Sequence, residues 1–63
     1  MLTERERKIL ALRKKGLSDY KIARELNVDP PSVTQSRQNA MRKLREAAED
    51  LNFAKQIELE IPQ

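Results

Sequence analysis

Near the start of the chain the apolar positions fall at Ile9, Leu10 and Leu12, with Arg5, Arg7, Lys8 and Arg13 around them. That spacing predicts an amphipathic helix with one packed side and one wet side. The sequence also marks its ends. Thr3 followed by Glu6 makes a Thr-x-x-Glu capping box, Lys14 and Lys15 suit the negative end of the helix dipole, and Gly16 stands where a left-handed stop is needed. Leu2 and Leu17 flank the two ends and are expected to close the core there.

Ser18 is placed to cap a second, short helix in which Ile22, Ala23 and Leu26 recur at helical spacing. It is expected to stop at Asn27, which tolerates a left-handed turn better than most residues, with Val28 plugging that turn. Asp29 is then the next N-cap. Pro30 and Pro31 follow it, where a missing amide hydrogen costs nothing because the first helical amides have no carbonyl partner. The inward face of this third helix reads as Val33, Ala40 and Leu44, with Ser36 or Arg37 at the intermediate turn and Met41 at the edge.

Between Ser32 and Ile61 there is neither glycine nor proline, so backbone chemistry does not fix where the third helix ends. A continuous helix would be ~45 Å long at 1.5 Å per residue, more than so small a globule covers. Either it breaks near Asp50-Leu51-Asn52, or it projects. Leu44, Ala47, Leu51 and Ala54 alternate steps of three and four, a short heptad-like seam able to meet a second helix or to fold back on its own domain. Ile57, Leu59 and Ile61 alternate with Glu58 and Glu60 as in a strand, although a frayed end explains them as well.

Composition narrows the classes. A chain of 63 residues, 38% apolar and 37% charged, makes one small domain with a thin core and no room for a separate substrate domain. Without cysteine or histidine there are no disulfides, no zinc ribbon and no thiol or imidazole catalysis. The longest apolar run is Ile9 to Leu12, far short of a membrane span, which with the absence of a cleavable leader reads as a soluble chain of the cytoplasm. Net charge is +3, but residues 1–45 carry +7 and residues 46–63 carry −4. A basic body with an acidic tail suits a first two thirds that faces a polyanion. The chain therefore divides into a basic body at 1–45 and a helical extension at 46–63, read as a dimerisation segment through Leu44, Ala47, Leu51 and Ala54.

Spacing discriminates further. Counted from Asp19, the residues Ile22, Ala23, Leu26, Val28 and Val33 fall where a helix-turn-helix needs apolar contacts, with small Ala23 at the helix crossing. The expected fold class is all-α, a three-helix helix-turn-helix core with an extended third helix or an additional C-terminal helix. If Val33, Ala40 and Leu44 face inward, positions 34, 35, 38, 42 and 45 lie on the opposite side and carry Thr, Gln, Gln, Arg and Arg. Glutamine can bond adenine N6 and N7 together, and the threonine methyl can pack on that of thymine.

Leu2-Thr3-Glu4-Arg5-Glu6, Ile9-Leu10, Gly16-Leu17-Ser18, Ile22-Ala23, Leu26, Val33, Arg37, Asn39 and Met41-Arg42-Lys43-Leu44 together resemble the DNA-binding domain of LuxR-type regulators, without a gap from Leu2 to Leu44. The stretch Ala40 to Glu46 is also similar to the sigma-factor region that reads the promoter −35 element. The resemblance implies a third helix in the major groove, a second across the backbone and a first bracing both. It places Thr34, Gln35 and Gln38 at the bases. Arg37, Arg42, Lys43 and Arg45 follow along the helix and are expected at flanking phosphates, as are Ser18, Lys21 and Ser32 in the first turns of helices two and three.

The chain departs from the family at Lys21, where glutamate is usual, at Asn27 and Arg45, where glycine is, and at Asp29, where serine caps. Without that second glycine a separate fourth helix is in doubt. The reading is a sequence-specific double-stranded DNA-binding regulator, homodimeric, cytoplasmic and associated with the nucleoid, with half-sites ~34 Å apart. A module docking on RNA polymerase or another protein, and an architectural binder without sequence preference, are the alternatives. No cofactor, metal or catalytic residue is expected, because the chain has no phosphate loop, metal cluster or activated nucleophile.

Overall fold

The computed structural model describes residues 1–62 and contains three helices: α1 (Glu4–Lys14), α2 (Asp19–Leu26) and α3 (Pro30–Gln56). Ile9 of α1, Ile22 and Ala23 of α2 and Val33 of α3 meet in one buried cluster, with Leu12, Leu17, Leu26 and Val28 packed around it. Ala40 is also fully buried, one turn-pair further along α3. Among the described residues only three large side chains are sealed from water, so the core is as thin as the length demands.

All three helices start at the caps expected from the sequence, two of them with a side-chain cap bond. The Thr3 hydroxyl accepts from the Glu6 amide at 3.1 Å while the Glu6 carboxylate accepts from the Thr3 amide at 2.8 Å, completing the capping box. The Ser18 hydroxyl accepts from the Lys21 amide at 3.2 Å. Asp29 occupies the N-cap of α3 but makes no side-chain cap bond. Pro30 and Pro31 bring no amide hydrogen, and the first one available, on Ser32, donates instead to the Asp29 main-chain carbonyl at 3.0 Å.

All three helices end in the same way, with an amide reaching back five residues over a left-handed residue. Leu17 donates to the Leu12 carbonyl past Gly16 (φ 98°), Val28 to Ala23 past Asn27 (φ 57°), and Leu59 to Ala54 past Glu58 (φ 56°). Leu17 and Val28 are thereby laid onto the core. Leu59, the corresponding residue of α3, stays exposed.

α3 does not break at Asp50-Leu51-Asn52. It runs unbroken for 27 residues, straight through residue 45, and gives a molecule only 18 Å across a length of 44 Å. Nothing in its interior interrupts the amide ladder, and the turn at Ile57 and Glu58 stops it. No strand forms at 57–61, because no other extended segment among the described residues is there to pair with it. Leu44, expected to face inward, is 42% exposed, since α1 and α2 reach along α3 no further than Lys43. Of the expected seam, Ala47 and Leu51 are open, while Ala54 is buried at the turn whose Leu59 amide bonds its carbonyl.

Two carboxylates fasten α3 to the other helices. Glu6 of α1, only 6% exposed, accepts from Lys43 Nζ at 2.8 Å, which also reaches the Met1 carbonyl at 3.3 Å. Asp19 at the start of α2 takes both forks of Arg37, with Nε to Oδ1 and Nη2 to Oδ2 each at 3.0 Å. The Lys43 ammonium, followed by the Thr3 amide, holds the Glu6 carboxyl below its ordinary range. Arg37 foremost, and then the Thr34 hydroxyl, hold down that of Asp19.

Because both carboxyls titrate lower in the folded chain than in the unfolded one, their stabilisation is complete above the ordinary carboxylate range near pH ~4 and is lost as pH falls below it. Thermal melts between pH 7 and pH 2 should therefore be flat down to about pH 5 and then drop. A Glu6→Gln, Asp19→Asn variant should start lower at neutral pH and lose less in acid. Ile22→Ala should cost about 3 kcal/mol by urea titration, a large part of the total stability open to so small a domain.

Candidate nucleic-acid interface

Burying Val33 and Ala40 turns the opposite side of α3 to water, and the residues there share one stripe at helical spacing. Ser32, Gln35, Gln38, Arg42 and Arg45 are all exposed. Gln35 donates from Nε2 to Asn39 Oδ1 at 3.3 Å, one turn on, so the polar surface is already partly ordered. Arg42 pairs with Glu46 at 3.2 Å, both side chains more than half exposed. A surface pair of this kind contributes only about 0.3–0.5 kcal/mol, so the guanidinium can exchange its carboxylate for a phosphate at little cost.

Three expected site residues have partners inside the protein. Thr34 is half-buried, with its hydroxyl 3.0 Å from Asp19 Oδ2 and 3.3 Å from the Pro30 carbonyl, so its polar end belongs to the α2–α3 junction. Arg37 lies in the Asp19 fork, and Lys43 in the bond to Glu6. The acids that meet them are distant in the sequence: Asp19 of α2 lies 15 residues from Thr34 and 18 from Arg37, and Glu6 of α1 lies 37 from Lys43. Arg37 and Lys43 thus sit largely within the fold, at 28% and 29% side-chain exposure.

At the start of α2 the Ser18 hydroxyl accepts the Lys21 amide, which leaves its own hydrogen free to donate outward. Lys21 itself is exposed and shares a shallow depression with Leu17, Arg24 and Glu25. Ser32 is exposed at the start of α3. The negative Asp29 is exposed beside it, an acid at the helix end where an anion would otherwise be favoured.

One cation of this surface is absent from the expected set. Arg5 of α1 lines a groove with Pro31, Ser32, Gln35 and Ser36, so the brace helix presents a guanidinium at the edge of the α3 stripe. It also borders a second groove with Lys8, Leu26 and Val28. Its position on the wet side of α1 is legible from the helical spacing. Which face of α3 that wet side adjoins is set by the crossing of the two helices.

Among the described residues no cluster of acidic side chains is arranged to hold a metal ion, and no helix is long and apolar enough to cross a membrane. What the surface offers is hydrogen-bonding amides flanked by cations on a projecting helix.

The chain is 36% identical over 56 residues to the DNA-binding protein Tfx of Methanothermobacter thermautotrophicus, covering 89% of this chain and 41% of that protein. It is 37% identical over 54 residues to the protein of the same name from Methanothermobacter marburgensis, covering 86% and 39%. The chain thus spans about two fifths of the length of these curated relatives. No solved structure matches it. Residues 1–52, which take in all of the helix-turn-helix and most of α3, match the family described as bacterial regulatory proteins, luxR family, and the chain belongs to that family.

Proposed function

We propose that the chain is a sequence-specific, double-stranded DNA-binding transcription regulator that inserts α3 in the major groove. The observation that carries the reading is the exposed stripe of Gln35 and Gln38 between Ser32 and the cations Arg42 and Arg45. Major-groove readout needs side chains that donate and accept together on a convex helix, and glutamine does both. The name of the Tfx relatives, DNA-binding proteins, supports the same reading.

In this reading Gln35 and Gln38 face base edges, and Thr34 contributes at the edge of that contact. Ser18, Lys21, Ser32, Arg42 and Arg45 meet phosphates. Arg37 and Lys43 act chiefly by holding α3 in place, lending a diffuse positive field. Residues 1–45 supply the DNA-binding domain and residues 46–63 a dimerisation segment. The role is binding rather than catalysis, exercised in the cytoplasm at the nucleoid. A second reading, docking on RNA polymerase or another protein, is favoured by exposed Leu51 and Phe53.

Site selection from a random duplex pool at near-physiological salt should enrich a defined motif. On that motif Gln35→Ala and Gln38→Ala should each lose about 1–3 kcal/mol of binding while binding random DNA unchanged. Arg42→Ala should weaken both DNAs alike and reduce the salt slope by about 1. Equal losses on both DNAs for the glutamine variants would overturn base reading, and no binding to any duplex would favour the docking module.

A further inference from the structure

The open stripe of α3 carries one apolar residue that the reading above leaves out. Positions 31, 35, 38, 42, 45 and 49 alternate steps of four and three, so Pro31, Gln35, Gln38, Arg42, Arg45 and Glu49 lie along one side of the helix. All six are exposed. The charge along this side reverses after Arg45, where Glu46 and Glu49 follow, and carboxylates set against a phosphate backbone repel it. Contact with a duplex therefore centres on the first turns of the helix, between Pro31 and Arg42.

The start of the helix does not account for Pro31. Pro30, half-buried, already occupies the first helical position, where a proline comes at no cost. The second proline removes one further amide hydrogen, the Ser32 amide turns to the Asp29 carbonyl, and Asp29 is left without a side-chain cap bond. The chain thus gives up a cap and places a dry ring at the leading end of a stripe otherwise made of amides and charges. Pro31 walls a shallow depression with Ser32, Gln35 and Ser36, and Arg5 of α1 stands at its edge.

We infer that Pro31 is a specificity-determining residue that packs on the C5-methyl group of a thymine, one or two base pairs from the pair met by Gln35. The inference rests on the major-groove reading proposed above and names a base within it. In the major groove the thymine methyl is the apolar group among donors and acceptors. A proline ring covers it without leaving a donor unpaired, whereas a serine or a lysine there would need a partner. Thr34, the methyl expected from the sequence to make this contact, is half-buried and has its hydroxyl held by Asp19 and the Pro30 carbonyl. Side chains four apart on a helix lie about 5–6 Å from each other and base pairs stack at ~3.4 Å, which sets the spacing of the two contacts. Gln35 keeps what its own contact needs, because Asn39 takes one Nε2 hydrogen and leaves the other, with Oε1, for adenine.

The test replaces thymine by deoxyuridine, whose base differs only in lacking that methyl group, at each thymine of the motif selected from the random pool. One position should cost the full chain about fourfold in affinity, which is what burial of a single methyl group supplies. Pro31→Ser restores an amide to the helix start and should keep its helical circular dichroism, yet bind thymine and deoxyuridine alike at that position. Thr34→Ser, which removes the neighbouring methyl, and Arg42→Ala, which weakens binding throughout, should both keep the fourfold ratio. A motif without thymine, a motif indifferent to every deoxyuridine, or a ratio that survives Pro31→Ser or disappears in Thr34→Ser would overturn the inference and leave base reading by the glutamines in place. A pool that yields no motif would sink base reading itself, and this inference with it.

Discussion

The seating of one side of α3 on α1 and α2 is the constraint from which the rest of this structure follows. With Ile9, Ile22 and Val33 the only large sealed side chains among the described residues, any rotation of α3 would draw one of them, Val33, out of the core. The same rotation would carry Gln35 and Gln38 away from the open side, because residues on a helix turn together. Stability and the placement of the polar stripe are therefore one property. Ala23 at the crossing, nearly inaccessible, is what allows α3 to lie close enough for Val33 to be sealed.

Charge secures what so small a core cannot. Glu6 with Lys43 and Asp19 with Arg37 join α3 to each of the other helices at partly buried positions, and both carboxylates have a second donor, the Thr3 amide in one case and the Thr34 hydroxyl in the other. Such pairs contribute geometry more than energy, since each must first lose water. They fix the axial position of α3 where an apolar contact would allow sliding. Two of the cations that resemble a DNA-binding pattern in the sequence, Arg37 and Lys43, thus have acid partners within the fold, while Arg5, Lys21, Arg42 and Arg45 are exposed.

The third helix end shows what the fold leaves unfinished. The turns after α1 and α2 each deliver an apolar residue to the core, Leu17 and Val28, whereas the turn after α3 delivers Leu59 to solvent. The same physical device is used three times and satisfied internally twice. A helix that outruns its own domain by several turns carries its apolar face with it, and Leu44 and Leu51 are left exposed there.

By itself the sequence determined the helices and their punctuation. The capping box at Thr3 and Glu6, the Ser18 cap, the left-handed Asn27 and the apolar set Ile9, Ile22, Ala23 and Val33 rest on short-range chemistry that a chain carries wherever it folds. The exposed Gln35 and Gln38 followed from helical period alone. Only the tertiary structure decided the partners of Thr34, Arg37 and Lys43, the neighbourhood of Arg5 and the length of α3 left uncovered. Those depend on where distant segments meet: periodicity says which way a side chain points on its own helix, but the acid or the open water it finds there is set by how the helices cross.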